Sequence, residues 1–190
     1  KGLSALEFQF FENNAQPNNM SFGKLKRFKI SMGCTLYGGS DYFKKTYPVQ
    51  NTLKLVTNKG ELLDSRMNEL FVETEMLCLS VDDMNDLGDV CVKSSRSPQP
   101  SVFKILRVFV VSKCSELRYL FTIGVAKDLS NLEHLEVDSC DNMEELICSE
   151  NAGKKTITFL KLKVLCLFGL PKLSGLCHNM NRIELLQLVE

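Results

Sequence analysis

The stretch LSNLEHLEVDSCDNM, residues 129–143, decides the fold. Leu129, Leu132, Leu135, Val137, Cys140 and Met143 fall at offsets 0, 3, 6, 8, 11 and 14 from its first residue. A helical stripe repeats at three and four and a strand at two throughout, so neither template fits alone. The same offsets recur upstream in FKILRVFVVSKCSEL (103–117), as Phe103, Leu106, Phe109, Val111, Cys114 and Leu117. They recur downstream in FLKLKVLCLFGLPKL (159–173), as Phe159, Leu162, Leu165, Leu167, Leu170 and Leu173. In a chain that is 44% hydrophobic, three copies of a six-point pattern are a repeat. A repeat fixes the whole architecture.

Each copy follows the leucine-rich-repeat signature L-x-x-L-x-L-x-x-N/C-x-L as far as its N/C point, where Cys114, Cys140 and Leu170 stand. Partial copies begin at Phe22, Tyr47, Phe71 and Met180, and Leu3 and Leu6 mark a further one. The spacing predicts an α/β leucine-rich-repeat solenoid. Offsets 6 and 8 are the period-2 core positions of a short strand, and offset 11 follows a bend where Asn or Cys satisfies turning backbone groups. Strands are expected near Phe28, Leu53, Leu77, Phe109, Leu135, Leu165 and Leu186. They would stack in parallel into a curved sheet on the concave face, because one repeat cannot bury its apolar row alone. Irregular and short helical segments would return the chain, with helical spacing at 60–71, 125–135 and 141–148. Polar, Ser- and Pro-rich or Gly-containing stretches near 88–101 and 149–158 read as loop insertions. Residues 1–190 therefore read as a single array. With no start Met and no polar closing segment, they read as a fragment of a larger protein.

Composition removes several function classes. Lys+Arg and Asp+Glu both total 23, which argues against a generic nucleic-acid or polybasic membrane binder. No stretch approaches the roughly 20 apolar residues of a membrane span. The eight cysteines include no Cys-x-x-Cys pair and only two histidines accompany them, so zinc ligation by paired spacing is not expected. Cys114 and Cys140 are repeat positions, and Cys78 and Cys166 at offset 7 lie on the exposed side of their strands. Unpaired thiols of this kind suit a reducing compartment, and the lone sequon at Asn19 hardly supports secretion. NAGKKT (151–156) and GGSDYFKKT (38–46) lack the glycines of a phosphate loop. A dyad of His134 and Cys140 is not expected, since offset 5 faces solvent while offset 11 turns into the stack. No catalytic, cofactor or metal residues emerge, and the chain does not read as an enzyme.

Residues 103–147 resemble the C-terminal repeats of plant intracellular disease resistance proteins of the coiled-coil, nucleotide-binding, leucine-rich-repeat class. The matching features are C-x-x-L-x-x-L-F (Cys114, Leu117, Leu120, Phe121), L-x-x-L-E-x-L-x-V-x-x-C (Leu129 to Cys140) and M-E-E-L-I (Met143 to Ile147). Residues 159–173 resemble the repeat that follows, with Leu160 where family members often have Pro. MSFGKLKRFKISMGC (20–34) resembles the downy-mildew resistance group of composite plants. The resemblance implies a cytoplasmic protein-interaction module of innate immunity. Its partner would be a pathogen effector, a guarded host protein or the receptor's own nucleotide-binding domain. ATP or ADP would bind only that domain, which is absent here, so no cofactor is expected. A substrate-recruiting arm of a ubiquitin ligase and an extracellular receptor ectodomain are the alternatives.

On this fold offsets 4, 5, 7, 9 and 10 flank the apolar points and face the concave side. They nominate Lys26, Arg27, Lys29, Lys54, Arg107, Val108, Val110, Lys113, Glu133, His134, Glu136 and Asp138 as the protein-binding surface. That surface would run from basic at the N-terminal end, past an apolar patch of Val108 and Val110, to acidic nearer the C-terminal end.

Overall fold

A computed structural model describes residues 4–10, 22, 25–33, 46–91, 102–148, 156–177 and 182–185. The sequon, the N-terminal phosphate-loop look-alike up to residue 45, most of both predicted loops and Leu186 lie outside them.

Seven strands form one parallel sheet: β1 (Ala5–Phe10), β2 (Arg27–Met32), β3 (Thr52–Asn58), β4 (Met76–Asp82), β5 (Val108–Ser112), β7 (His134–Asp138) and β10 (Val164–Phe168), adjacent in that order. The pairing aligns Ile30, Leu53, Leu77, Phe109, Leu135 and Leu165 in one row. Met32, Leu55, Leu79, Val111, Val137 and Leu167 form the second. Those from β2 to β7 are buried and the two on β10 are half-buried. Fully burying such a side chain contributes about 1.5–3 kcal/mol. A one-residue slip would turn a whole row to water, so the pattern holds the register. Behind the sheet, Phe71, Phe103, Phe109 and Phe121 run ring to ring at 5.9, 6.3 and 6.0 Å. This is the leucine-rich-repeat fold.

The bends explain offset 11. Cys114 and Cys140 are buried, and the Val81 backbone N–H donates to Cys114 Sγ at 3.3 Å. The bonded Cys140 thiol and burial hold Cys114 above its ordinary range, so it remains an inert thiol. One residue earlier, Lys113, Ser139 and Gly169 all take left-handed backbone angles, with φ of 56, 54 and 57°. The three strongest repeats thus end their strands with the same turn.

The return path carries short helices α1 (Lys59–Asp64) and α2 (Ile123–Asp128) and a 3-10 segment at Met67–Glu73. Asn58 caps α1 by accepting from the Glu61 N–H, and Thr122 caps α2 through the Val125 N–H. They cover most of the helical spacing expected at 60–71 and the first part of that at 125–135, where the helix ends at Asp128 and the chain runs on into β7.

Three expectations need correction. The 141–148 segment is not helical; β8 (Glu145–Ile147) pairs in parallel with β6 (Tyr119–Phe121) in a second small sheet. Near the C-terminus, β11 (Arg182–Leu185) pairs in parallel with β9 (Thr156–Phe159) in a further small sheet, while the strand expected near Leu186 lies outside the described residues. In the first clear repeat Ile30, not Phe28, stands opposite Leu53. Ile30 lies five positions after Leu25 where Phe109 lies three after Leu106, so the chain runs on for two more residues before the shared row and buries Phe28 as well. Finally, Tyr47 does not enter the core row; it lies on the opposite side of the sheet.

Candidate functional site

Side chains alternating with the core rows project to the concave side. One row is Lys29, Thr52, Met76, Val108, His134 and Val164; the next is Ser31, Lys54, Cys78, Val110, Glu136 and Cys166. Both rows are polar or charged on β2 and β3, apolar in the middle, and mixed on β7 and β10.

The apolar middle is covered by the chain itself. Tyr47 is buried against Met76, Val108 and Val110, with Val49 and Cys78 packed around them. Its hydroxyl lies 3.4 Å from His134 Nδ1, and its ring meets the imidazole edge-on at 5.7 Å. Arg107 Nη1 donates to the Pro48 carbonyl at 3.1 Å, and the Gln50 N–H donates to Glu75 Oε1 at 3.3 Å. Residues 47–50 therefore form a strap across β4, β5 and β7 before the chain enters β3. Burying Met76 and Val108 beneath Tyr47 removes an exposed apolar stripe from water, which is the driving force for the crossing.

The strap redistributes the predicted surface. Lys26, Arg27 and Lys29 are exposed at the N-terminal end, and Lys54 is half-buried. Val108, Val110 and His134 point to the concave side but are buried, so the expected solvent-facing apolar patch and imidazole are a correction. Lys113 is exposed on the bend after β5. Glu136 and Asp138 are half-buried; Asp138 Oδ1 accepts from the Ser139 hydroxyl at 3.0 Å.

Arg107 and Glu133 sit at the strand entries, in a charge ladder. Arg107 Nε meets Glu133 Oε1 at 2.6 Å, and Lys163 Nζ meets Glu133 Oε2 at 2.8 Å. Burial alone would raise the Glu133 carboxyl, but the bonds from Lys163 and Arg107 and their charges outweigh it and hold the group below its ordinary range. Glu133 therefore stays ionised, its charge paired with both Arg107 and Lys163.

His134 faces Glu136, with Nε2 and Oε2 3.5 Å apart. Burial lowers its basicity more than Glu136 raises it, so the ring is neutral at pH 7. Cys166 lies close to both. His134 and Cys140 belong to opposite faces of the structure, one under the strap and one in the core, and form no dyad. Sequence reasoning did not include Tyr47, Cys166 or Phe168 among the concave-face candidates. Phe168, at offset 9 and 56% exposed, was legible from the same alternation that gave Asp138, its neighbour across the ladder. Tyr47 gave no such signal, because its spacing fits a core point.

Among the described residues no helix is long and apolar enough to cross a membrane. No curated protein and no solved structure matches the chain. Residues 49–141 match the family described as "Plant disease resistance protein RPS2-like, leucine-rich repeats". The stretch runs from the strap to the bend after β7, and includes both regular and irregular repeats. Over it, the chain is similar to the leucine-rich repeats of plant disease resistance proteins, which points to a protein-interaction role in immunity.

Proposed function

We propose that this array is the recognition surface of a plant intracellular immune receptor. It acts in the cytoplasm and docks a protein at the C-terminal end of its concave face. The partner is a pathogen effector, a host protein the effector targets, or the receptor's own nucleotide-binding domain. Nucleotide would bind that domain rather than this array, and the 190 residues are one repeat array within the receptor.

Phe168 carries the reading. An aromatic side chain 56% exposed at the end of β10, beside Asp138, has the form of an interface anchor with a charged rim. The strap closes the middle of the face, so docking falls to the ends, where Arg27 and Lys29 are basic and Glu136 and Asp138 acidic. Such polarity steers encounter and orientation, while the packed aromatic supplies affinity.

The test is Phe168→Ala and Asp138→Lys in the full receptor, expressed in leaf tissue with and without the pathogen. Loss of the response to the pathogen supports effector recognition; a response without pathogen supports restraint of the nucleotide-binding domain. Wild-type behaviour of both variants in both conditions defeats the proposal.

A further inference from the structure

Three metal-binding side chains that no sequence spacing connects meet where β7 and β10 adjoin. His134 and Glu136 are two apart on β7, so both project from its concave side. Cys166 is the direct partner of Glu136 in the parallel register. One ligand atom from each lies within 4.8 Å of the other two. Ligand atoms bonded to tetrahedral zinc at about 2.0–2.3 Å stand about 3.3–3.8 Å apart. The His134–Glu136 pair already meets that spacing at 3.5 Å. Glu136 and Cys166 are half-buried, with room to close the remaining ångström or so by side-chain rotation.

We propose that His134 Nε2, the Glu136 carboxylate and Cys166 Sγ form a zinc-binding site with an open fourth position facing the concave groove. The set of imidazole, thiolate and carboxylate selects zinc over magnesium or calcium, which take oxygen ligands. Binding displaces the Cys166 proton to solvent; thiolate and carboxylate then balance the ion's two charges. Behind the His134 ring lies Tyr47, packed edge-on at 5.7 Å, which fixes the ring's orientation. The site does not depend on which protein the face recognises.

The test titrates cobalt(II), the spectroscopic stand-in for zinc, into the full chain after reduction and chelator treatment. The expected result is one equivalent bound, with a thiolate-to-cobalt charge-transfer band and the intense visible bands of tetrahedral cobalt, both removed by zinc. Cys166→Ala abolishes the charge-transfer band, whereas Cys78→Ala, in the same row, keeps it. No charge-transfer band in the parent overturns the proposal, as does a band that survives Cys166→Ala or disappears in Cys78→Ala. Circular dichroism separates loss of a ligand from loss of fold. If Cys166→Ala does not fold, Glu136→Gln decides. Removing a ligand weakens cobalt binding by about tenfold or more, since even outer partners contribute that much; unchanged affinity overturns the site.

Discussion

The repeats from Phe103 to Leu173 and those before Asn58 fold into one sheet by different means. In the first region each strand is entered by a buried residue at offset 3, Leu106, Leu132 or Leu162, and left by a left-handed residue, Lys113, Ser139 or Gly169. Side chains also tie neighbouring repeats outside the core. Asn131 Nδ2 donates to the Lys104 carbonyl and Lys161 Nζ to Asn131 Oδ1, at 2.7 Å each. Asn142 does the same between Ser115 and Lys172. In the second region the entry to β3 is lost. Gln50 stands where an apolar offset-3 residue should be, and the chain before it crosses the concave face instead of joining the core. One buried polar residue takes over: Asn51 accepts from the Phe28 N–H and donates to the carbonyls of Lys26 and Glu73, bridging three successive strands. A repeat array tolerates the loss of an apolar entry point when a satisfied amide replaces it.

The largest expected effect lies in the regular region. Phe109 is fully buried between Phe103, on which it stacks, and Phe121, to which it is tilted. Phe109→Ala should cost about 3–5 kcal/mol. Solenoid stability is largely nearest-neighbour, so β4 and β7 should loosen most. Amide exchange that accelerates evenly from β1 to β10 would contradict that division between regions.

The shared bend makes a smaller and signed prediction. Gly169 has φ of +57°, and a Cβ there would meet Ser139 N at 3.1 Å and Cα at 3.2 Å. Gly169→Ala should destabilise by at least the 1–2 kcal/mol of a left-handed non-glycine residue, about 2 kcal/mol with the contacts. Ser139→Gly, at the same turn one repeat earlier, relieves that conformation and should be neutral or stabilising by up to about 1 kcal/mol. Denaturation midpoints that move in the same direction for both variants would show that the turns are not equivalent.

What could be read in the sequence follows the same division. Six short-range offsets suffice to place β5, β7 and β10, because each core point is set by a neighbour two or three residues away. The slip at Ile30 was hidden because Phe22, Leu25 and Phe28 are all buried and satisfy the pattern in the wrong register. The strand at Glu145–Ile147 was hidden because its partner, Tyr119–Phe121, lies 26 residues away and the segment's own period looks helical. The concave side was legible as a set of offsets but not as a surface. Nothing local tells that Tyr47 covers Val108, 61 residues further on, or that Glu133 is held between Arg107 and Lys163.

That ladder supplies the next prediction. The Glu133 carboxyl is held below its ordinary range, so its pairing stabilises the fold above the unfolded-state pKa and is lost as pH falls through the lower folded value. Glu133→Gln should cost about 1 kcal/mol at pH 7, kept small because Lys163 is half exposed to water. The gap between variant and parent should shrink as pH drops below the ordinary glutamate range. A gap that widened in acid would show that Glu133 acts by packing, not charge.

The smallest effect tests whether the strap is held by packing or by its polar contact. Tyr47 buries its ring on Met76, Val108 and Val110, while its hydroxyl reaches His134 Nδ1 at 3.4 Å, long for an O–H···N bond. Area removed from water should therefore outweigh the hydroxyl. Tyr47→Phe keeps the ring and should cost no more than about 0.5 kcal/mol, the low end for one hydrogen bond. It should leave amide protection on β4 and β5 unchanged. The irregular region would then hold its crossing by the same apolar burial that holds the regular rows, applied to the other face of the sheet. A cost of 2 kcal/mol or more, or exposure of β4 amides in this variant alone, would instead make the Tyr47–His134 contact the clasp that closes the strap.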